Sequence, residues 1–240
     1  MNRDSNAYTF IFATIMVIVV ASALAFAATG LKERQNENVR KEKMQNILGT
    51  IGVEIDRDGA EELYNKYITK AITVKSDGSI DESVDAFEVD LKKELKMPVN
   101  EQNFPLYLAE VEGAKYYIVP LRGSGLWDAI WGYVSLKEDI NTIKGAVFDH
   151  KGETPGLGAE ITQTWFKKRF EEEKIYDASG NFIGVSVVKG YSGGNDKEDN
   201  AIDAISGATI TGDGVSDMIK ERLKHYLPYL EKQKTQVAYK

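Results

Sequence analysis

Twenty-two consecutive residues, Tyr8 to Thr29, carry no charge: YTFIFATIMVIVVASALAFAAT. A helix of that length reaches about 33 Å, enough to cross a bilayer core. A cleaved secretory leader is the rival reading, with Arg3 as its basic end and Ala25-Phe26-Ala27 as its cleavage site. The apolar run is longer than a usual leader core, so residues 1–30 are read as an uncleaved transmembrane anchor. No Asp, Glu, Lys, Arg or His lies inside the run, so the helix by itself is an anchor and not an ion path. Ala21, Ala25 and Thr29 recur every four residues, a small-residue face that lets another helix approach closely.

The flanking charges bear on orientation. Arg3, partly offset by Asp4, stands before the run; Lys32, Arg34, Arg40, Lys41 and Lys43 stand after it. Counted alone, these cations place the remainder of the chain in the cytoplasm.

That remainder cannot do every chemistry. The whole chain has a net charge of -7, which argues against a nucleic-acid footprint. It has no cysteine, hence no disulfide, thiolate zinc site or cysteine-ligated cluster. His150 and His225 are the only histidines, so neither a histidine-built metal centre nor a paired-histidine haem is expected. Redox chemistry would need an organic cofactor.

After the anchor, Lys32 to Gly52 reads as a helical stalk with Val39, Met44, Ile47 and Leu48 as a thin apolar seam. We take 31–57 as stalk and 58–240 as a soluble domain. Asp58 to Ile68 reads as a helix capped by Asp58. Strand-like runs follow at Ala71–Val74, Pro105–Val111, Tyr116–Leu121, Ile130–Leu136, Ile143–Phe148 and Phe182–Val188. Their short connections, among them Gly113-Ala114-Lys115 and Lys137-Glu138-Asp139, predict an antiparallel sheet. Ala159 to Glu173 reads as one helix with Ile161, Trp165, Phe166 and Phe170 on or near one face. The last helix carries Val215, Met218, Ile219, Leu223, Tyr226, Leu227 and Leu230, at offsets 0, 3, 4, 8, 11, 12 and 15. Pro228 should kink it. The expected class is α+β: one transmembrane helix, then a mainly antiparallel sheet flanked by helices.

Three stretches can carry chemistry. In GSGLWD, Gly123 to Asp128, two glycines flank a serine and a large flat Trp127 follows. Glycine permits close approach to a ligand, but a β-turn leading into a core tryptophan explains the stretch equally. In HKGETPGLGAE, His150 to Glu160, three glycines and a proline make an irregular loop that ends at an expected helix N-terminus. A strand-to-helix connection turning at Thr154-Pro155 is the plain alternative. In DAISGATIT, Asp203 to Thr211, Thr211 is placed to cap the last helix, with Asp213 and Asp217 near its positive end. The cap leaves Ser206, Gly207, Ala208 and Thr209 unexplained. Small residues ahead of a helix N-terminus suit a phosphate. No Gly-Lys-Ser/Thr follows, so this is not a P-loop, and Gly-x-Ser-x-Gly is absent, so it is not a nucleophile elbow.

In this order, GSGLWD, HKGETPGLG and DAISGAT resemble the FMN-binding domain whose flavin is covalently attached to threonine. The last stretch matches the attachment signal Asp-x-x-Ser/Thr-Gly-Ala-Thr at every fixed position. With the single anchor, the whole layout resembles the C subunit of the sodium-translocating NADH:quinone reductase. The paralogous G subunit of the Rnf ferredoxin:NAD complex shares the anchor and the signal. HKGETPGLGAEIT and the long region before GLW are closer to the reductase family than to Rnf.

The resemblance implies an electron-carrier subunit with FMN joined through its phosphate to Thr209. Asp203, Ser206, Gly207 and Ala208 would be the recognition signal of a separate flavin transferase. It implies a flavin-binding region over about residues 115–215. There Gly125, Leu126, Trp127, His150, Glu153, Thr154, Gly156, Leu157 and Gly158 would border the cofactor, with Thr211 beside it. Trp127 and Leu157 would touch the ring, and Glu153 and Thr154 its polar edge or the ribityl chain. Implied partners are the other subunits of the membrane complex, with no NADH site, quinone site or metal in this chain. The resemblance puts the soluble domain on the outer side of the bacterial cytoplasmic membrane, against the flanking-charge count. A non-catalytic, membrane-tethered module is the reading from another class.

Overall fold

The structure is a computed structural model that describes residues 5–238, the last four by backbone alone. Arg3 and Asp4, used in the charge count, lie outside the described residues. The chain divides into two compact units between Lys43 and Met44. The first unit is helical. Its helix, α1 (Asn6–Gly49), runs on past the apolar run without a break. An 18-residue window of it has a mean hydropathy of 2.7 and no buried residue, so it is long and apolar enough to cross a membrane.

The last residues of α1 belong to the second unit, where Met44, Ile47 and Leu48 are buried. Val39, expected in the same seam, is exposed. A short helix α2 (Ala60–Tyr67) follows. Asp58 does not cap it: Gly59 takes the cap position, and its N–H is held by the Asp56 carboxylate at 3.1 Å.

Five strands form an antiparallel meander: β1 (Ile68–Val74), β2 (Phe104–Val111), β3 (Ala114–Ser124), β4 (Ala129–Lys137) and β5 (Ile143–His150). Helix α3 (Leu91–Glu94) precedes β2, with the Asp90 carboxylate accepting the Lys92 N–H at 2.9 Å. The β2–β3 turn sits at Glu112-Gly113, ahead of the expected triplet. Both residues have positive φ, 52° and 84°, which matches the right-handed twist of the flanking strands.

The sheet is apolar on both faces because its strands bury alternate residues in two cores. Tyr117, Val119 and Leu121 of β3 face a core shared with the C-terminal half of the chain. Ile118 of β3 and Tyr107 of β2 face a second core closed by the end of α1 and by α2. Burying both faces fixes the register, since a one-residue slip would exchange them.

The expected helix over 159–173 is instead three short pieces. These are a 3₁₀ turn (Gly158–Thr162), α4 (Thr164–Lys167) and a second 3₁₀ turn (Lys168–Phe170). Gln163 is extended (ψ 142°) and divides them. The helix cannot continue because residues 172–174 serve the sheet edge: the Glu172 N–H reaches the Ile143 carbonyl, and the Ile143 N–H reaches the Glu173 carbonyl, both at 2.9 Å. Ile161, Phe166 and Phe170 are buried as expected, whereas Trp165 is half exposed.

Of the run 182–188, only β6 (Ser186–Val188) is a strand, paired in parallel with β7 (Ala201–Asp203). Gly184, at φ +75°, turns the chain before it. The final helix is two helices, α5 (Thr209–Leu223) and α6 (Leu227–Ala238). The break falls at 224–226. Pro228 lies in the first turn of α6, where its missing N–H costs nothing. The apolar stripe of α5, Val215, Met218, Ile219 and Leu223, is fully buried against the sheet.

Candidate functional site

The three stretches meet at one end of the sheet, around the carboxylate of Glu153. GSGLWD forms the β3–β4 hairpin, closed by the Gly125 N–H on the Asp128 carbonyl at 2.8 Å. HKGETPGLG leaves the end of β5 and turns at once, because the Glu153 N–H bonds His150 Nδ1 at 3.1 Å. That turn carries Glu153 inward, where it is 5% exposed. Its Oε1 accepts the Trp127 N–H at 3.0 Å and its Oε2 accepts the Thr211 hydroxyl at 2.7 Å. One side chain therefore ties residues 26 positions before it and 58 positions after it.

Burial pushes the Glu153 carboxyl up, but the Thr211 hydroxyl, the Trp127 and Asp128 N–H groups and His150 together outweigh burial and hold it below its ordinary value. A folded value below the unfolded one stabilises the fold above the unfolded value of 4.5. The contribution is lost as the pH falls through the folded value. Melting temperatures measured between pH 7 and pH 3 should fall below about pH 4.5, and Glu153→Gln should lose this acid-dependent part of the drop.

Glycines keep the knot closed. A Cβ on Gly158 would stand 2.3 Å from Glu153 Oε2 and 2.5 Å from Thr211 Oγ1. A Cβ on Gly125 would stand 2.5 Å from Glu153 Oε1. Gly158→Ala must separate two hydrogen-bonded groups in a buried space, and should cost about 2 kcal/mol by urea denaturation.

Thr211 is thus not the helix cap. Gly207, at φ +78°, turns the chain early, Ala208 takes the cap position, and α5 begins at Thr209. Thr211 is the third helical residue and is 1% exposed. No side chain caps the helix, and its first turn holds no acid; Asp213 and Asp217 lie further along. The positive end of α5 is open to an outside anion. Thr209 is exposed there, and its hydroxyl makes no hydrogen bond to another described residue.

Beside it lies a cavity of about 570 Å³, a size suited to a cofactor. Leu126, Glu153, Thr154, Leu157, Gly158, Asp203, Ser206, Gly207, Ala208, Thr209 and Thr211 all line it. Gly125 and Trp127 line a neighbouring groove of about 380 Å³ on the other side of the hairpin. Trp127 is not a core residue; it is 68% exposed. His150 and Gly156 line neither space: the first shapes the turn, the second bends the loop at φ +77°.

The sequence reading missed Lys189, Gly190, Ala204, Ile205 and Ile210 in the cavity wall. Lys189 is its one lysine and opens the glycine-rich run KGYSGG, a signal present but unused. Arg169 was also missed. It holds the Asp203 carbonyl at 2.6 Å and the Asp203 carboxylate at 3.5 Å, and stacks on Trp165 at 4.7 Å. Among the described residues no group of acids and histidines could hold a metal ion.

A family described as FMN-binding domain matches residues 125–224, a span that holds the second and third stretches whole and the first from Gly125 on. The C subunit of the Na(+)-translocating NADH-quinone reductase of Pseudomonas aeruginosa is 30% identical over 91% of this chain and 91% of its own. Its Haemophilus ducreyi counterpart is 29% identical over 91% and 90%. The crystal structure of the Parabacteroides distasonis counterpart is 41% identical and superposes with a TM-score of 0.75, covering 83% of this chain and 96% of that one. NqrC of Shewanella oneidensis, 25% identical, superposes with a TM-score of 0.72. The two curated relatives align over about nine tenths of their length, and the two solved structures share the fold. They leave one assignment: the chain belongs to the family of the C subunit of the Na(+)-translocating NADH-quinone reductase.

Proposed function

We propose that this chain carries electrons within a sodium-translocating NADH:quinone reductase through an FMN joined by its phosphate to Thr209 Oγ1. The observation that carries the proposal is Thr209 itself: an exposed, unbonded hydroxyl on the open positive end of α5, bordering a cavity of about 570 Å³. Thr211, the chemical competitor, is buried and committed to Glu153.

The residues fit the cofactor in parts. The N–H groups of the first turn of α5 and Lys189 suit the phosphate. Leu126, Leu157 and Ile210 are apolar, partly exposed cavity walls suited to a flat ring. Thr154 remains a polar contact, while Glu153 acts first on the protein, setting the spacing between the hairpin and α5. Bound FMN supplies the electron transfer; the chain holds it, shields it and keeps it from dissociating.

A separate flavin transferase would form the bond. Asp203, Ser206 and Gly207 are exposed close to Thr209 and within reach of such an enzyme. We take residues 1–30 as a single-pass anchor, 31–57 as the stalk and 58–240 as the flavin domain. We place that domain on the outer side of the membrane, following the family resemblance against the cations of 32–43. NADH, quinone and sodium are assigned to other subunits of the complex.

A denaturing gel tests the proposal. The chain, produced with a flavin transferase, should keep flavin fluorescence after boiling in detergent. A dark band from such cells would favour a non-catalytic module over an electron carrier.

A further inference from the structure

The hairpin Gly125–Asp128 has the flavin cavity on one side, where Leu126 lines it, and a second groove on the other, where Trp127 does. The groove also holds Lys92 and Leu95, from and beside α3, and Arg122 of β3. Arg122 is fixed in place: it lies opposite Trp131 across the β3–β4 ladder, with its guanidinium 5.8 Å from that ring. Among the described residues neither Lys92 nor Arg122 has a carboxylate within ion-pair distance, although the charge of Lys92 helps to hold the Asp128 carboxyl below its ordinary value. The one acid in the wall, Asp128, is already engaged by Lys151 at 2.7 Å and by the Ala129 N–H at 2.7 Å. The groove is therefore a basic spot with an exposed tryptophan on a chain whose net charge is -7.

We propose that this groove is the docking face for an acidic surface of a neighbouring redox protein in the complex. Carboxylates of the partner pair with Lys92 and Arg122, and Trp127 forms the wall against which it packs. The inference rests on the electron-carrier reading. Charge complementarity argues for it, because two cations with no carboxylate within ion-pair distance attract an acidic partner to this part of an otherwise acidic chain. Position argues for it as well: a partner seated here is separated from the flavin cavity by one hairpin. An aromatic ring on a rigid turn, flanked by cations, is also the composition of an interface anchor.

The test uses the intact complex carrying K92E/R122E, compared with K92Q/R122Q and the unaltered chain. Covalent FMN content is measured first, then the rate at which that FMN is reduced by NADH, over a series of salt concentrations. The charge reversal should leave the FMN content unchanged and slow the reduction about tenfold at low salt. The neutral pair should fall between, and the differences should shrink as salt rises. Equal rates and equal salt dependence in all three, with FMN present, would overturn the docking face. So would loss of binding to anionic lipid vesicles with electron transfer unchanged, which would make the groove a lipid contact. Absence of covalent FMN from the unaltered complex would instead overturn the electron-carrier reading beneath it.

Discussion

Thr209→Ala should yield a folded chain that carries no covalent FMN. The residue opens α5 and is exposed, so losing its side chain should change stability by no more than about 0.5 kcal/mol. The loss of flavin should nonetheless be complete, because no neighbouring hydroxyl can substitute. Thr211 lies two residues on, but its oxygen points to Glu153 and is 1% exposed. Ser206 is exposed, yet it precedes the Gly207 turn and lies outside the helix end proposed to receive the phosphate. Thr211→Ala should give the opposite result, with flavin kept and about 1–2 kcal/mol of stability lost, because Glu153 Oε2 loses its partner. The pair of variants, read by flavin fluorescence in a denaturing gel and by thermal melting, separates attachment from support.

Glu153→Ala should be the most damaging change to the site as a structure. It leaves the buried Thr211 hydroxyl and the Trp127 N–H without their acceptor and opens the space between Gly125 and Gly158. Hydrogen bonds to a charged group contribute about 1.5–3 kcal/mol each, and part of the loss is recovered by water, so a net cost of about 3 kcal/mol is expected. For a domain of this size that lowers the melting temperature by roughly 6–12 °C. The β3–β4 hairpin should loosen first, which differential hydrogen exchange at Leu126–Asp128 would show. A melting temperature unchanged within 1–2 °C (about half a kcal/mol) would mean that Glu153 does not join the three stretches.

Much of the fold was legible because apolar runs alternate with short turns. Tyr116–Leu121 and Ile130–Leu136 announce strands as near-continuous apolar runs, and the structure extends each at both ends. The helical stripe of Val215, Met218, Ile219 and Leu223 was equally plain, since one face of α5 meets the sheet. Legibility failed where a long-range partner overrides local preference. Residues 159–173 have a helical apolar spacing, but Glu172 and Glu173 are claimed by the edge of β5. Thr211 looks like a cap from its neighbours alone; only Glu153, 58 residues earlier, shows why its hydroxyl is turned inward. Glu153 itself was expected at the flavin, and no local pattern indicates that both its oxygens serve the protein. Lys189 was overlooked because its loop comes to the cavity through the parallel pairing of β6 with β7, a contact without a sequence period.

The central claim is a bond on one oxygen. The most direct measurement is fragmentation mass spectrometry of the peptide spanning Asp203 to Lys220, from cells that contain a flavin transferase. The expected result is an added mass of FMN less water, with fragment ions placing it on Thr209 and not on Ser206 or Thr211. An unmodified peptide, or the same mass on either of the other two hydroxyls, would contradict the account.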